Sequence, residues 1–114
     1  IPKLISTAGF EIKYHRVMDE VQEVYEKLSN FNPEVAAYIV PNSYNRRVLA
    51  TFNFRTAIHL IKLRSAPNAH FAMRRVACRI TDGISQRSSL FKKYLFTSSG
   101  ETWQELENRY FVKT

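Results

Sequence analysis

From Tyr14 the apolar residues recur at helical spacing. Tyr14, Val17, Met18, Val21, Val24, Tyr25 and Leu28 follow the i, i+3, i+4, i+7 pattern, and Asp19, Glu20, Glu23 and Glu26 fall mainly on the other side. The pattern predicts an amphipathic helix with one stripe turned into the core. Before it, residues 1–13 hold Pro2, Gly9 and mixed polarity and read as an extended lead-in. Asn30 and Asn32 end the helix, and Pro33 suits the first turn of a short second one that reaches Tyr38 and stops at Pro41. After the turn signal Pro41-Asn42-Ser43, the stretch from Arg47 to Phe54 alternates. Val48, Ala50, Phe52 and Phe54 share one face, so a short strand is expected near residues 46–53.

Helical spacing then resumes. A helix is expected from about Asn53 to Leu63, with Asn53 as its N-cap. A longer one is expected from Ala69 to Asp82, capped by Asn68 and closed at Asp82-Gly83. Its apolar stripe is Ala69, Met73, Val76, Ala77 and Ile80. In the remainder, Phe91, Tyr94, Leu95 and Phe96 read as core or interface, and Ser98 or Ser99 as the start of a last helix through Trp103 and Leu106. The fold class expected is α+β, mostly helical, in one domain over residues 1–114.

Composition narrows this reading in two places. The chain has 45% hydrophobic and 13% aromatic residues, which excludes a disordered polymer. The single cysteine, Cys78, excludes an intrachain disulfide; beside Ala77 on a helix it reads as a small buried residue rather than a nucleophile. No apolar run approaches the roughly 20 residues needed to span a bilayer. The chain begins with Ile1, so a removed presequence or a cut from a longer protein is expected. With it goes an intracellular location, mitochondrial if the presequence addressed an organelle.

Charge changes the picture more. Between Arg46 and Lys93 stand eleven Lys or Arg residues and one acid, Asp82. That segment asks for an anionic partner: a nucleotide phosphate, RNA, anionic lipid or an acidic protein surface. The plainer alternative is a solvated basic face. Phe91-Lys92-Lys93-Tyr94 interleaves rings with bases in a way that suits RNA stacking, or core residues beside exposed lysines. Arg55, His59 and Lys62 lie at i, i+4, i+7 and share a helix face. Such a face fits a pyrophosphate, which arginine binds in bidentate fashion. The alternative for these three is two surface charges and a satisfied histidine. His15, His59 and His70 are not at a metal-ligand spacing.

Three blocks, in order, carry a family resemblance. Glu34-Val35-Ala36-Ala37-Tyr38-Ile39-Val40-Pro41 resembles the Glu-x-Ala-Arg-x-Val-Leu-Pro block of flavin-dependent thymidylate synthases. The stretch from Asn53-Phe54-Arg55-Thr56 to Leu63-Arg64 is similar to their Asn-x-Arg-Ser helix, which ends in Leu-Arg. Asn68-Ala69-His70-Phe71-Ala72-Met73-Arg74 resembles their His-Ala-Gln-x-Glu-Ile-Arg segment. The resemblance covers roughly Tyr14 to Thr81 and places the chain with the C-terminal half of such an enzyme. It implies an α+β half domain in a homotetramer, FAD between subunits and dUMP beside the flavin ring. By position it implies that Asn53 and Arg55 touch FAD, that His59 lies on the flavin side, and that Arg64 binds and polarises the uracil of dUMP. An arginine there would stabilise charge developing on a carbonyl.

The pattern also departs from the family at ligand positions. The signature Arg-His-Arg…Ser…Glu…Ser-x-Arg-Tyr has no copy; Tyr14-His15-Arg16 is the nearest fragment. The phosphate-gripping Arg of the first block is Ala37, the Gln of the third is His70 and its Glu is Ala72. Losing a charge-assisted phosphate contact removes roughly 1.5–3 kcal/mol. The sequence therefore reads first as a degenerate, non-catalytic subunit of a larger assembly with other protein chains. The second reading is part of an active FAD-dependent synthase whose signature comes from another chain or a missing N-terminal half. The third is a small basic RNA-binding protein.

Overall fold

In a computed structural model the chain is described over residues 1–112. Its elements are α1 (Lys3–Thr7), α2 (Glu11–Phe31), α3 (Pro33–Ala36) followed by a 3-10 turn (Ala37–Ile39), α4 (Phe54–Arg64), α5 (Phe71–Arg87), α6 (Ser89–Lys92) and α7 (Trp103–Tyr110). The chain divides into two compact units, residues 4–49 and residues 1–3 with 50–114.

In the first unit the expected extended lead-in is corrected to a helix. Pro2 precedes α1, where its missing N–H costs nothing. Gly9 at φ 75° closes α1: its N–H donates to Ser6 O and that of Phe10 to Ile5 O, the paired bonds of a Schellman cap. Asn32 ends α2 and caps α3, accepting from the N–H groups of Glu34 and Val35, with Pro33 in the first turn as expected. The α2 stripe is not the core it reads as in sequence. No residue of α2 is buried, Val17 is 45% exposed, and Ala36 is the buried hydrophobic of this unit. The reason is supply: α3 and the 3-10 turn pack on α2 but are too short to cover six helical turns.

The expected strand near residues 46–53 does not form among the described residues. A strand needs a neighbour for its backbone groups, and among the described residues no β pairing involves this segment. Backbone N–H and C=O groups of residues 45–52 make no bonds to other backbone groups there, and Leu49 is 96% exposed. Among the described residues the β pairing is a bridge between Pro2 and Phe111, beside a 2.9 Å bond from Val112 N–H to Ile1 O.

The second unit has the closed core. Ala57 and Ile61 of α4 and Ala77 and Cys78 of α5 are buried, as are Leu95 and Leu106. Burying an Ile or Leu side chain contributes about 1.5–3 kcal/mol. Helix α5 starts at Phe71, not Ala69, because the His70 imidazole, rather than Asn68, caps it. It also runs through Gly83 to Arg87. A helical glycine costs about 1 kcal/mol, and packing of α5 against α4, α6 and α7 outweighs that. Helix α7 starts at Trp103 because Thr102, not Ser98 or Ser99, makes a full capping box with Glu105.

Candidate functional site

Helix α4 carries the four residues singled out in sequence: Asn53 at its cap and Arg55, His59 and Arg64 along it. The Asn53 side-chain oxygen accepts from Thr56 N–H at 2.9 Å and from the Thr56 hydroxyl at 3.1 Å. Its carbonyl is thus committed to starting the helix, and only the amide NH2 remains for a ligand. At the other end Ser98 Oγ donates to Lys62 O at 2.7 Å and Ser98 N–H donates to Ser65 Oγ at 2.7 Å. These bonds occupy an otherwise orphaned carbonyl of the last turn. The helix is held at both ends and buries Ala57 and Ile61, which fixes the opposite face outward.

On that outward face Arg55, His59 and Lys62 are all exposed. Four-residue and three-residue steps at about 100° per residue keep the three within a narrow arc. Among the described residues, no carboxylate lies within 4 Å of Arg55, Lys62 or Arg64. Arg64 is exposed as well, but nine residues after Arg55 it lies half a turn around the helix. The structure therefore gathers Arg55, His59 and Lys62 on one face and leaves Arg64 off it.

The arginines of α5 are spent differently. Arg74 is buried; its Nη1 donates to Glu101 at 2.6 Å and its Nη2 to the Tyr110 hydroxyl at 3.2 Å, while its Nε has no partner. Arg75 pairs with Glu107 at 3.6 Å and lies over the Phe111 ring at 4.2 Å. Arg79 lies over Trp103 at 5.1 Å. The long basic run thus splits. On α5, Arg74 and Arg75 pair with acids of the C-terminal segment and Arg79 lies over a ring, whereas among the described residues the cations of α4 have no carboxylate within 4 Å. Sequence reasoning missed the Arg74–Glu101–Tyr110 cluster, since 27 and 36 residues separate the partners.

The altered family positions have structural uses. His70 Nδ1 accepts from Ala72 N–H at 3.3 Å and the ring packs on Phe71. Ala37 begins the 3-10 turn. Cys78 is buried, and its thiol donates to Glu101 O at 3.3 Å. Burial above all, then the Glu101 charge, pushes that thiol up from its ordinary range, against an opposing pull from Arg74. It is a core residue, as its place on the helix suggests. Phe91 stacks on Phe54 at 3.9 Å, so it is packing rather than a free platform. No described helix is long and apolar enough to cross a membrane.

The sequence model of one protein family, described as thymidylate synthase complementing protein, matches residues 1–88. A protein from Chlamydia muridarum described as UPF0159 is 30% identical over 90% of this chain and 20% of its own length. One from Thermoplasma acidophilum, also described as UPF0159, is 33% identical over 78% of this chain and 18% of its own. The chain thus spans about a fifth of the length of the relatives it matches. No solved structure matches it.

Proposed function

The chain belongs to the thymidylate synthase complementing protein family, and on that premise we propose that it is a non-catalytic binding subunit whose α4 face holds an anionic ligand within a larger assembly. The observation that carries this is the exposed Arg55–His59–Lys62 face, on a helix held at both ends, in contrast to the acid-paired Arg74 and Arg75 of α5. Family membership makes FAD the ligand to try first. Its pyrophosphate would lie along Arg55 and Lys62, with His59 toward the flavin and the Asn53 amide as a further donor. Arg64, off that face, would reach dUMP rather than the dinucleotide.

Two features support an assembly. The α2 stripe is only half covered, and the 46–53 segment has unpaired backbone groups suited to an edge strand of a half domain completed by other chains. Ala37, His70 and Ala72 at family ligand positions support the absence of catalysis. Relatives from a bacterium and an archaeon lend no support to a mitochondrial address. The test is titration of the protein with FAD, followed by flavin fluorescence and by the visible band retained after dialysis. Saturable binding with no conversion of dUMP, when folate and reductant are added, is expected. A protein that stays colourless refutes the flavin assignment, and turnover by this chain alone refutes the non-catalytic one.

A second reading has its own observation. Because the relatives are about five times longer, the missing signature would be supplied outside the matched stretch, and the chain would be part of an active FAD-dependent synthase. Conversion of dUMP on mixing with a chain that bears the Arg-His-Arg signature would favour it.

A further inference from the structure

We propose that the groove walled by α2 and the stretch from the 3-10 turn to Arg46 binds a small zwitterion with an apolar ring, of the class of an aromatic α-amino acid. The groove lies within the first unit and holds about 520 Å³, inside the range typical of small-molecule sites. Val21, Tyr25, Val40 and Tyr44 give it an apolar, ring-lined body. Aromatic walls favour offset or edge contacts with a bound ring.

Its polar groups are few and already ordered. Tyr44 Oη donates to Gln22 Oε1 at 3.3 Å, and Gln22 Nε2 donates to Glu26 Oε1 at 3.2 Å. Arg46 Nη2 donates to Val40 O at 3.1 Å, which fixes the guanidinium at the rim and leaves its other donors free. Glu26 and Arg46 line the same groove, yet neither has an ionic partner within 4 Å among the described residues. One unpaired anion and one unpaired cation around an apolar body complement a ligand bearing both charges. A simple anion fits less well, since α2 also carries Asp19, Glu20 and Glu23. A carboxylate would take the Arg46 fork and an ammonium the Glu26 oxygens.

The experiment titrates the full chain with L-phenylalanine, 3-phenylpropionate and 2-phenylethylamine, followed by amide chemical shifts of Val21, Tyr25 and Val40. Phenylalanine is expected to bind about tenfold more tightly than either singly charged probe, one charge-assisted contact being worth about that factor. Glu26→Gln should weaken phenylalanine about tenfold and leave phenylpropionate unchanged; Arg46→Gln should weaken phenylalanine and leave phenylethylamine unchanged. Equal affinity for all three probes, or no shift at these residues, overturns the proposal on the unmodified chain, whatever the variants do.

Discussion

Helices α4 and α5 are both basic, both amphipathic and packed against each other, yet their charges do different work. Arg74 and Arg75 of α5 meet Glu101 and Glu107, and Arg79 lies over Trp103. Among the described residues, no carboxylate lies within 4 Å of Arg55 or Lys62 of α4. Net charge does not distinguish the two helices; the position of the acids does. Nine of the ten acids lie outside the 46–93 run, and the C-terminal ones return to α5 rather than α4. Charge left bare on a rigid helix is the feature that points to a ligand.

The largest expected effect breaks the α5 side. Arg74→Ala takes the Tyr110 hydroxyl's donor away and leaves Glu101 with only the longer 3.8 Å contact to exposed Arg109, and should destabilise the protein by about 3 kcal/mol in chemical denaturation. A loss under about 0.5 kcal/mol would put Arg74 with the bare charges. Next, Thr102→Ala removes the capping box of α7 and should cost about 1 kcal/mol by the same measurement. The same box has a pH signature. Backbone and side-chain hydrogen bonds from Thr102 hold the Glu105 carboxyl below its ordinary range. With the folded value depressed, the bonds contribute fully above the unfolded value, and the contribution is lost as pH falls through the folded one. Acid should therefore loosen α7, seen as faster amide exchange at Leu106 and Glu107, and Glu105→Ala should erase that dependence. The smallest effect sharpens the comparison from the other side. Arg55→Ala and Arg64→Ala should change stability by less than about 0.5 kcal/mol, as exposed charges without partners do.

Local signals were the legible ones. Pro33 after Asn32, Asn53 ahead of α4, and the spacing of α2 all predict elements the structure contains, because caps and periodicity act within a few residues. Elsewhere the local signal was true but outvoted. Gly83 is a plausible helix end, and packing carries α5 four residues past it. The 46–53 alternation is a strand pattern without a neighbour to pair with. The α2 stripe is amphipathic as predicted, but periodicity does not report whether the chain supplies enough surface to cover it. At the candidate site, the Arg55–His59–Lys62 face was readable from spacing alone. The separation of Arg64 follows from the same 3.6-residue period and needed only to be counted. The neutralisation of Arg74 was out of reach, since its partners are close only after folding.

Whether the exposed α4 face is where this chain holds its ligand is read from an FAD affinity comparison between the unmodified protein and Arg55→Ala. Saturable binding is expected in the unmodified protein, falling about tenfold in the variant on losing one charge-assisted phosphate contact, with the folded state intact. Equal affinity in the two proteins, or no FAD binding in either, would contradict it.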